Sequence, residues 1–237
     1  MQENQRTEIS TIGEFGLIKR LTEHIQIHNP ETKYGVGDDA AVLDFSNQQT
    51  LVTTDLLMEG VHFDLVYTPL KHLGYKCVTA VTGELYAEFS HPRTMEVRLG
   101  ISSKLDFEHI KDVWNGIVTA AKEHGYKAVD LDLIPSHNGL AISVSTCGET
   151  SLLMAKRRPA AKSMDLICVS DNLGAAYMGF QVLEREKRKF EKSGDAKAQP
   201  ELEEYKHLVG AYLKRRFEIV EKNQQRDRSL DRNCRRY

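Results

Sequence analysis

The stretch Met95-Glu96-Val97-Arg98-Leu99-Gly100-Ile101, followed after a short polar break by Phe107-Glu108-His109-Ile110-Lys111-Asp112-Val113-Trp114-Asn115-Gly116-Ile117-Val118-Thr119-Ala120-Ala121, decides the fold class. In its first part apolar and polar residues alternate, so one face of an extended chain is apolar and the other wet, which predicts a strand on a half-buried sheet. In its second part Phe107, Ile110, Trp114, Ile117, Val118 and Ala121 fall at steps of three and four, the stripe of an amphipathic helix that Gly125 can stop. A strand handing on to a helix, each with one apolar side, predicts a sheet backed by helices. Outward from there, Val129 to Ile134 and Leu140 to Cys147 read as strands. The turn residues Pro135-Ser136-His137-Asn138-Gly139 between them predict a hairpin. On the other side, Pro69 to Phe89 is helical in composition, with Gly74 and Gly83 as weak spots. Ala40 to Leu43 and Leu51 to Asp55 are short apolar runs around Asn47-Gln48-Gln49 and predict neighbouring strands. Phe15, Ile18, Leu21 and Ile25 mark a helix over Glu14 to Ile27, ended by Asn29 and Pro30.

Around Gly148 to Lys162 the periodicity lapses and Lys156, Arg157 and Arg158 gather, so a junction is expected there. The class is α+β. An amino-terminal domain over 1–150 has a mixed or antiparallel sheet backed by helices, and a carboxy-terminal part over 151–237 is expected to be an incomplete α/β domain. In that second part a strand is predicted over Asp165 to Ser170, a helix over Gly174 to Phe190, a linker over Glu191 to Pro200 and a last helix from Glu201, with a basic, frayed tail.

Bulk properties exclude several function classes. With 41% hydrophobic residues in 237, the chain can build a core, and a formal charge of -2 supplies no field for nucleic acid or anionic lipid. A basic tail without interleaved aromatics makes nucleic acid an unlikely partner in this reading. No apolar run approaches the ~20 residues that span a bilayer. The four cysteines form no CxxC pair, so neither a zinc site nor a disulfide framework is expected, and a reducing cytoplasm fits best.

The residues that carry chemistry lie in Gly35-Val36-Gly37-Asp38-Asp39-Ala40-Ala41 and Thr53-Thr54-Asp55. An acidic turn between glycines suits a cation. Adjacent residues of an extended chain face opposite ways, so one of Asp38 and Asp39 binds while the other braces, and Thr53 and Asp55 share a face. Ligands made only of oxygen suit magnesium bridging to phosphates.

Glu14-Phe15-Gly16-Leu17-Ile18, Gly35 to Ala41, and Thr53-Thr54-Asp55 with Glu59-Gly60-Val61-His62-Phe63 resemble, in order, the signature of thiamine-monophosphate kinases, within the wider aminoimidazole-ribonucleotide-synthetase-like superfamily. The resemblance continues through Leu73-Gly74-Tyr75-Lys76, Gly139 to Val144 and Asp165 to Ser170, covering roughly residues 12 to 190. It implies ATP- and magnesium-dependent phosphorylation of thiamine monophosphate to thiamine diphosphate, and a homodimer whose amino-terminal domains join sheets. Carried over by position, Asp39, Thr53, Thr54 and Asp55 are implied metal ligands and His62 a substrate contact. Asp132 is an implied metal ligand and nucleotide contact that completes the cluster, and Arg158 an ATP contact.

Some positions depart from that pattern. Glu84 stands where the family has the aspartate of a Ser-Asp pair. It is carried as a metal ligand with a longer reach, with Glu88 one turn on either joining it or facing solvent. Asp130-Leu131 replaces a Gly-Gly before Asp132, and Asp171 replaces a glycine. Nothing after Leu173 matches the family's later metal and substrate motifs, so the chain reads as truncated relative to the family. The alternative expectation is therefore a noncatalytic member that dimerises and binds nucleotide or metal weakly.

Overall fold

The computed structural model describes residues 11, 16, 19–20, 23, 31–34, 41–44, 49–150, 162–169, 172–193 and 200–213. The helix expected over Glu14 to Ile27 lies almost wholly outside them. Six strands, β1 (Thr32–Tyr34), β2 (Ala41–Asp44), β3 (Gln49–Met58), β4 (His91–Ser102), β5 (Ala128–Ser136) and β6 (Ala141–Thr150), form one mixed sheet in the order β1-β2-β3-β6-β4-β5. Helices α1 (Leu70–Ala87) and α2 (Phe107–Glu123) pack on one face, and α3 (Ala175–Ser193) pairs with the short α4 (Lys206–Leu213).

The opening stretch forms as its pattern dictates. Met95, Val97 and Leu99 of β4 turn inward and are at most 2% exposed. They meet Val113, Ile117 and Ala120 of α2 and Leu73, Val78 and Val81 of α1 in a single core that also takes Leu57, Ile142 and Val144. Asp106 caps α2 by accepting from the His109 backbone N–H at 3.0 Å. The other sheet face, carrying Glu96, Arg98, Thr54 and Leu56, is exposed, and among the described residues no helix lies over it.

The predicted hairpin of the last two strands does not form. β6 runs antiparallel between β3 and β4, whereas β5 lies parallel to β4 at the sheet edge. The reason is the helix between β4 and β5: a helical crossover returns the chain parallel, beside the strand it left. The turn over Pro135 to Gly139 then carries the chain past β4 to the open edge of β3, where Ile142 and Val144 are wholly buried.

Gly74 is not a weak spot either. A Cβ there would sit 2.0 Å from the Val113 carbonyl oxygen, and one at Gly116 would sit 2.0 Å from that of Lys71. The paired glycines are what let α1 and α2 cross backbone to backbone.

In the carboxy-terminal part α3 begins as expected and runs on to Ser193, three residues into the expected linker. No strand forms over described residues 162–169, where Met164 is 95% and Ile167 85% exposed. The segment makes a single β-bridge at Leu166 and no longer ladder among the described residues. The last expected helix is a 3-10 turn at Glu203–Tyr205 leading into α4. It buries Val209 against Val182 and Leu183 of α3, with Tyr67, Leu202, Tyr205 and Tyr212 packed around them.

Candidate phosphate and substrate site

β3 and α1 lie against each other, and the candidate residues sit along their seam. Strand alternation turns Leu51, Thr53 and Leu57 toward the helix layer. Thr53 donates its hydroxyl to Glu84 Oε2 on α1. Asp55 faces Cys77 on the same helix: burial pushes the Cys77 thiol up to about 12, and the nearby Asp55 carboxylate adds to the rise. Three oxygen-bearing side chains, Thr53, Asp55 and Glu84, therefore share the covered side of the sheet. Glu88, one turn after Glu84, is 2% exposed and so is not a solvent-facing acid.

The structure separates two other expected ligands from this set. Thr54 points to the open face, where its hydroxyl lies 2.9 Å from Ser145 Oγ and 3.3 Å from the Val144 carbonyl oxygen. Asp132 is on that open face too. It pairs in register with Arg98, 4.0 Å from its Nε, and its own Oδ1 accepts the Leu133 N–H. As a side chain it does not complete the Thr53, Asp55 and Glu84 set, because the thickness of the sheet stands between them. Asp39 and Arg158 lie outside the described residues, and so does Asp38. Among the described residues no three His, Cys, Asp or Glu side chains converge to hold an ion. The donors present on the covered face are all oxygens, which is the chemistry magnesium requires.

His62 lies beyond the end of β3, in a turn tied down by backbone bonds from Val61 N–H and His62 N–H to the Met58 carbonyl. Its Nδ1 accepts the Met58 N–H at 3.1 Å, so the proton of the neutral ring sits on Nε2. The ring borders a cavity of about 590 Å³, lined also by Tyr67, Tyr177, Phe180, Lys187 and Tyr212. Lys76 of α1 binds the His62 carbonyl at 3.2 Å and stacks its ammonium 4.3 Å from the centre of the Tyr212 ring. One helix therefore serves both places: Lys76 holds the cavity and Glu84 the acidic face, about 12 Å further along the axis by helical rise.

Sequence reading missed most of this cavity wall. Tyr67 donates its hydroxyl to Glu184 at 2.8 Å, and Lys187 meets Asp64 at 2.5 Å. Burial, reinforced by the bond to Glu184, raises the Tyr67 phenol. Burial pushes Asp64 up, but its bonds from Lys187 and the Val66 N–H hold it below the usual carboxylate range. The partners come from segments more than a hundred residues apart in the chain, and no local periodicity announces them. Leu202, Tyr205, Val209 and Tyr212, spaced at three and four along the last helix, are the local signal the sequence carries for this wall.

The geometry can be set beside known proteins. Residues 37–150 match the family described as AIR synthase related protein, N-terminal domain. The thiamine-monophosphate kinase of Bacillus subtilis is 29% identical over 173 residues, 73% of this chain and 53% of that one. The same enzyme of Aquifex aeolicus is 28% identical over 183 residues, 77% of this chain and 56% of its own. Over this domain the chain is similar to the AIR synthase related proteins, and over about three quarters of its length to thiamine-monophosphate kinases. It spans about half the length of these curated relatives. Among solved structures, one described as AaThiL complexed with AMPPCP and TMP superposes with a TM-score of 0.71 at 24% identity, covering 89% of this chain and 61% of that chain. The thiamine-monophosphate kinase of Stenotrophomonas maltophilia gives 0.57 at 27% identity, covering 85% and 61%. These likenesses show that the shared fold extends beyond residues 37–150.

Proposed function

We propose that this protein binds ATP and thiamine monophosphate and transfers the terminal phosphoryl group of ATP to give thiamine diphosphate. The observation that carries the reading is the seam of β3 and α1, where the hydroxyl of Thr53 and the carboxylates of Asp55 and Glu84 share one covered face while the His62 cavity opens beside the end of the same strand. Direct phosphoryl transfer needs no nucleophilic side chain, only alignment of two phosphates and charge to offset their oxygens. Magnesium, when bound at the oxygens of Thr53, Asp55, Glu84 and Asp39, supplies that charge. The chain's own residues do the rest. His62 offers an Nε2–H to a phosphate oxygen, the rings of Tyr67, Tyr177, Phe180 and Tyr212 give a flat heteroaromatic a stacking surface, and Arg158 meets the ATP phosphates. The solved relative described with AMPPCP and TMP supports both substrates.

Two copies pair through the open sheet face, where Leu56, Met58 and Ile134 are each at least 40% exposed. Asp132 then lies where the copies meet. A cytoplasmic location goes with this chemistry, since ATP and reduced cysteines are found there.

The test is thiamine diphosphate formation from thiamine monophosphate, ATP and magnesium, with Asp55→Ala alongside. Product that depends on Asp55 supports the kinase reading, and none above that control overturns it. A noncatalytic member is the second reading, and it is favoured by Glu84 standing where the family has aspartate. In that case Glu84→Asp tightens magnesium binding measured by calorimetry.

A further inference from the structure

Glu59 is the one strong acid of the 58–63 turn, and the proposed chemistry gives it no task. Its surroundings do. Its Oε2 accepts the Leu140 N–H at 2.8 Å, and its backbone N–H donates to the Leu140 carbonyl at 3.0 Å. Leu140 is 1% exposed in the main core, so the anchor does not move. Position 139 leaves room for this clamp: Gly139 has φ +88°, and a Cβ there would stand 2.5 Å from Glu59 Oε2. On the other side of Glu59 the turn closes through Gly60 N–H to the Phe63 carbonyl at 2.8 Å and His62 N–H to the Met58 carbonyl at 2.9 Å. The same turn brings the Met58 N–H onto His62 Nδ1 at 3.1 Å.

We propose that Glu59 is a positioning residue for His62: its carboxylate fastens the 58–63 turn to the residue before β6, and the fastened turn holds His62 with Nδ1 as acceptor and Nε2–H as the donor toward the cavity. The inference rests on the reading of His62 as a substrate contact. A hydrogen-bonding group is useful to a phosphate only if its direction is fixed beforehand, because a ring that rotates loses the bond for much of the time. The Phe63 side chain, buried in the core, and Lys76, bonded to the His62 carbonyl, hold the far end of this turn, and the Glu59 carboxylate fastens its near end to the residue before β6. An amide at position 59 accepts the same N–H, so the task needs an acceptor and not a charge.

The experiment is nitrogen NMR of the imidazoles in the full chain at pH 8, with the His62 signals assigned by their loss in His62→Gln. In the parent protein His62 shows one acceptor-type nitrogen, Nδ1, and one protonated nitrogen, Nε2. In Glu59→Ala both move toward the averaged shifts of an imidazole that exchanges between its two neutral tautomers, and KM for thiamine monophosphate rises about tenfold, the value of one lost hydrogen bond, with kcat little changed. Glu59→Gln restores both readings. Gly139→Ala pushes the carboxylate aside without removing it and reproduces the Glu59→Ala signals; it decides the matter if Glu59→Ala does not fold. His62 signals unmoved in a folded Glu59→Ala or Gly139→Ala protein overturn the proposal, as does a Glu59→Gln protein that behaves like Glu59→Ala. If thiamine monophosphate leaves the His62 nitrogens of the parent unmoved, the substrate reading fails, and the role of Glu59 is still decided by the variants' signals alone.

Discussion

The two faces of the sheet are made from the same strands, yet they carry different chemistry. On the covered face of β3, Thr53 meets a glutamate from α1, and its neighbours Leu51 and Leu57 are almost fully buried. On the open face of that strand, Thr54 meets Ser145 and the Val144 carbonyl of the next strand, and Leu56 and Met58 stand in solvent. Residues one step apart along a strand differ in everything but sequence position. A carboxylate on the covered face is held by a second element and screened little, whereas Asp132 on the open face is a surface acid beside Arg98.

The largest way to break this contrast is to lift the helices off. Gly116→Leu drives a side chain into the Lys71 carbonyl and costs about 3 kcal/mol or more. Far-UV circular dichroism should then show no cooperative unfolding transition, and a variant that melts like the parent would mean that the helix crossing tolerates separation. Next, Leu99→Ala on the covered face lowers stability in urea unfolding by about 2–5 kcal/mol. Leu56→Ala on the open face changes it by less than ~0.5 kcal/mol at low protein concentration. A loss that grows with concentration for Leu56→Ala sharpens the picture, because only an interface between copies makes an exposed leucine count.

A smaller effect separates the neighbouring threonines. Thr53→Val removes the hydroxyl that Glu84 accepts from and costs about 1–2 kcal/mol, with weakened magnesium binding by calorimetry. Thr54→Val costs less and leaves magnesium affinity unchanged, because its hydroxyl serves only Ser145 and the Val144 carbonyl on the open face.

The smallest is a pH effect in the helix layer. Burial lowers the His124 pKa from its ordinary 6.5, against a weaker upward pull from Glu123. The ring is held by the Tyr86 hydroxyl at 3.0 Å, and its Nε2 has no partner among the described residues. The unfolded chain therefore takes up this proton first. The stabilising contribution is whole above about pH 6.5 and is lost as pH falls through the lowered value. In melting curves between pH 5 and 7.5, His124→Gln should flatten the decline toward acid relative to the parent.

Much of this was legible before any coordinates. Alternation along 95–101 and the stripe over 107–121 report which side of an element is apolar, and burial is what the fold then makes of them. The spacing of Thr53 and Asp55 gave their shared face for the same reason. Neighbour relations were not legible. Nothing local in Leu140 to Cys147 says that the strand belongs between β3 and β4 instead of beside β5, because both placements bury Ile142 and Val144. The Tyr67–Glu184 and Asp64–Lys187 contacts are likewise set by where α3 docks, and Asp132 was carried over from a motif whose flanking glycines this chain lacks.

The insertion of β6 also bears on how the molecule comes into being. The strand that joins the two halves of the sheet is the last of the six to leave the ribosome. Until Thr150 has emerged, β3 can pair only with β2, and β4 only with β5 through its crossover helix. The nascent chain therefore carries two partial sheets with unpaired inner edges, each an invitation to misassociate. Because most of the sheet's pairing is long-range, closure is slow compared with forming either half. Pulse-labelled hydrogen exchange during refolding should find the amides of β3, β4 and β6 gaining protection together, after those of α1 and α2.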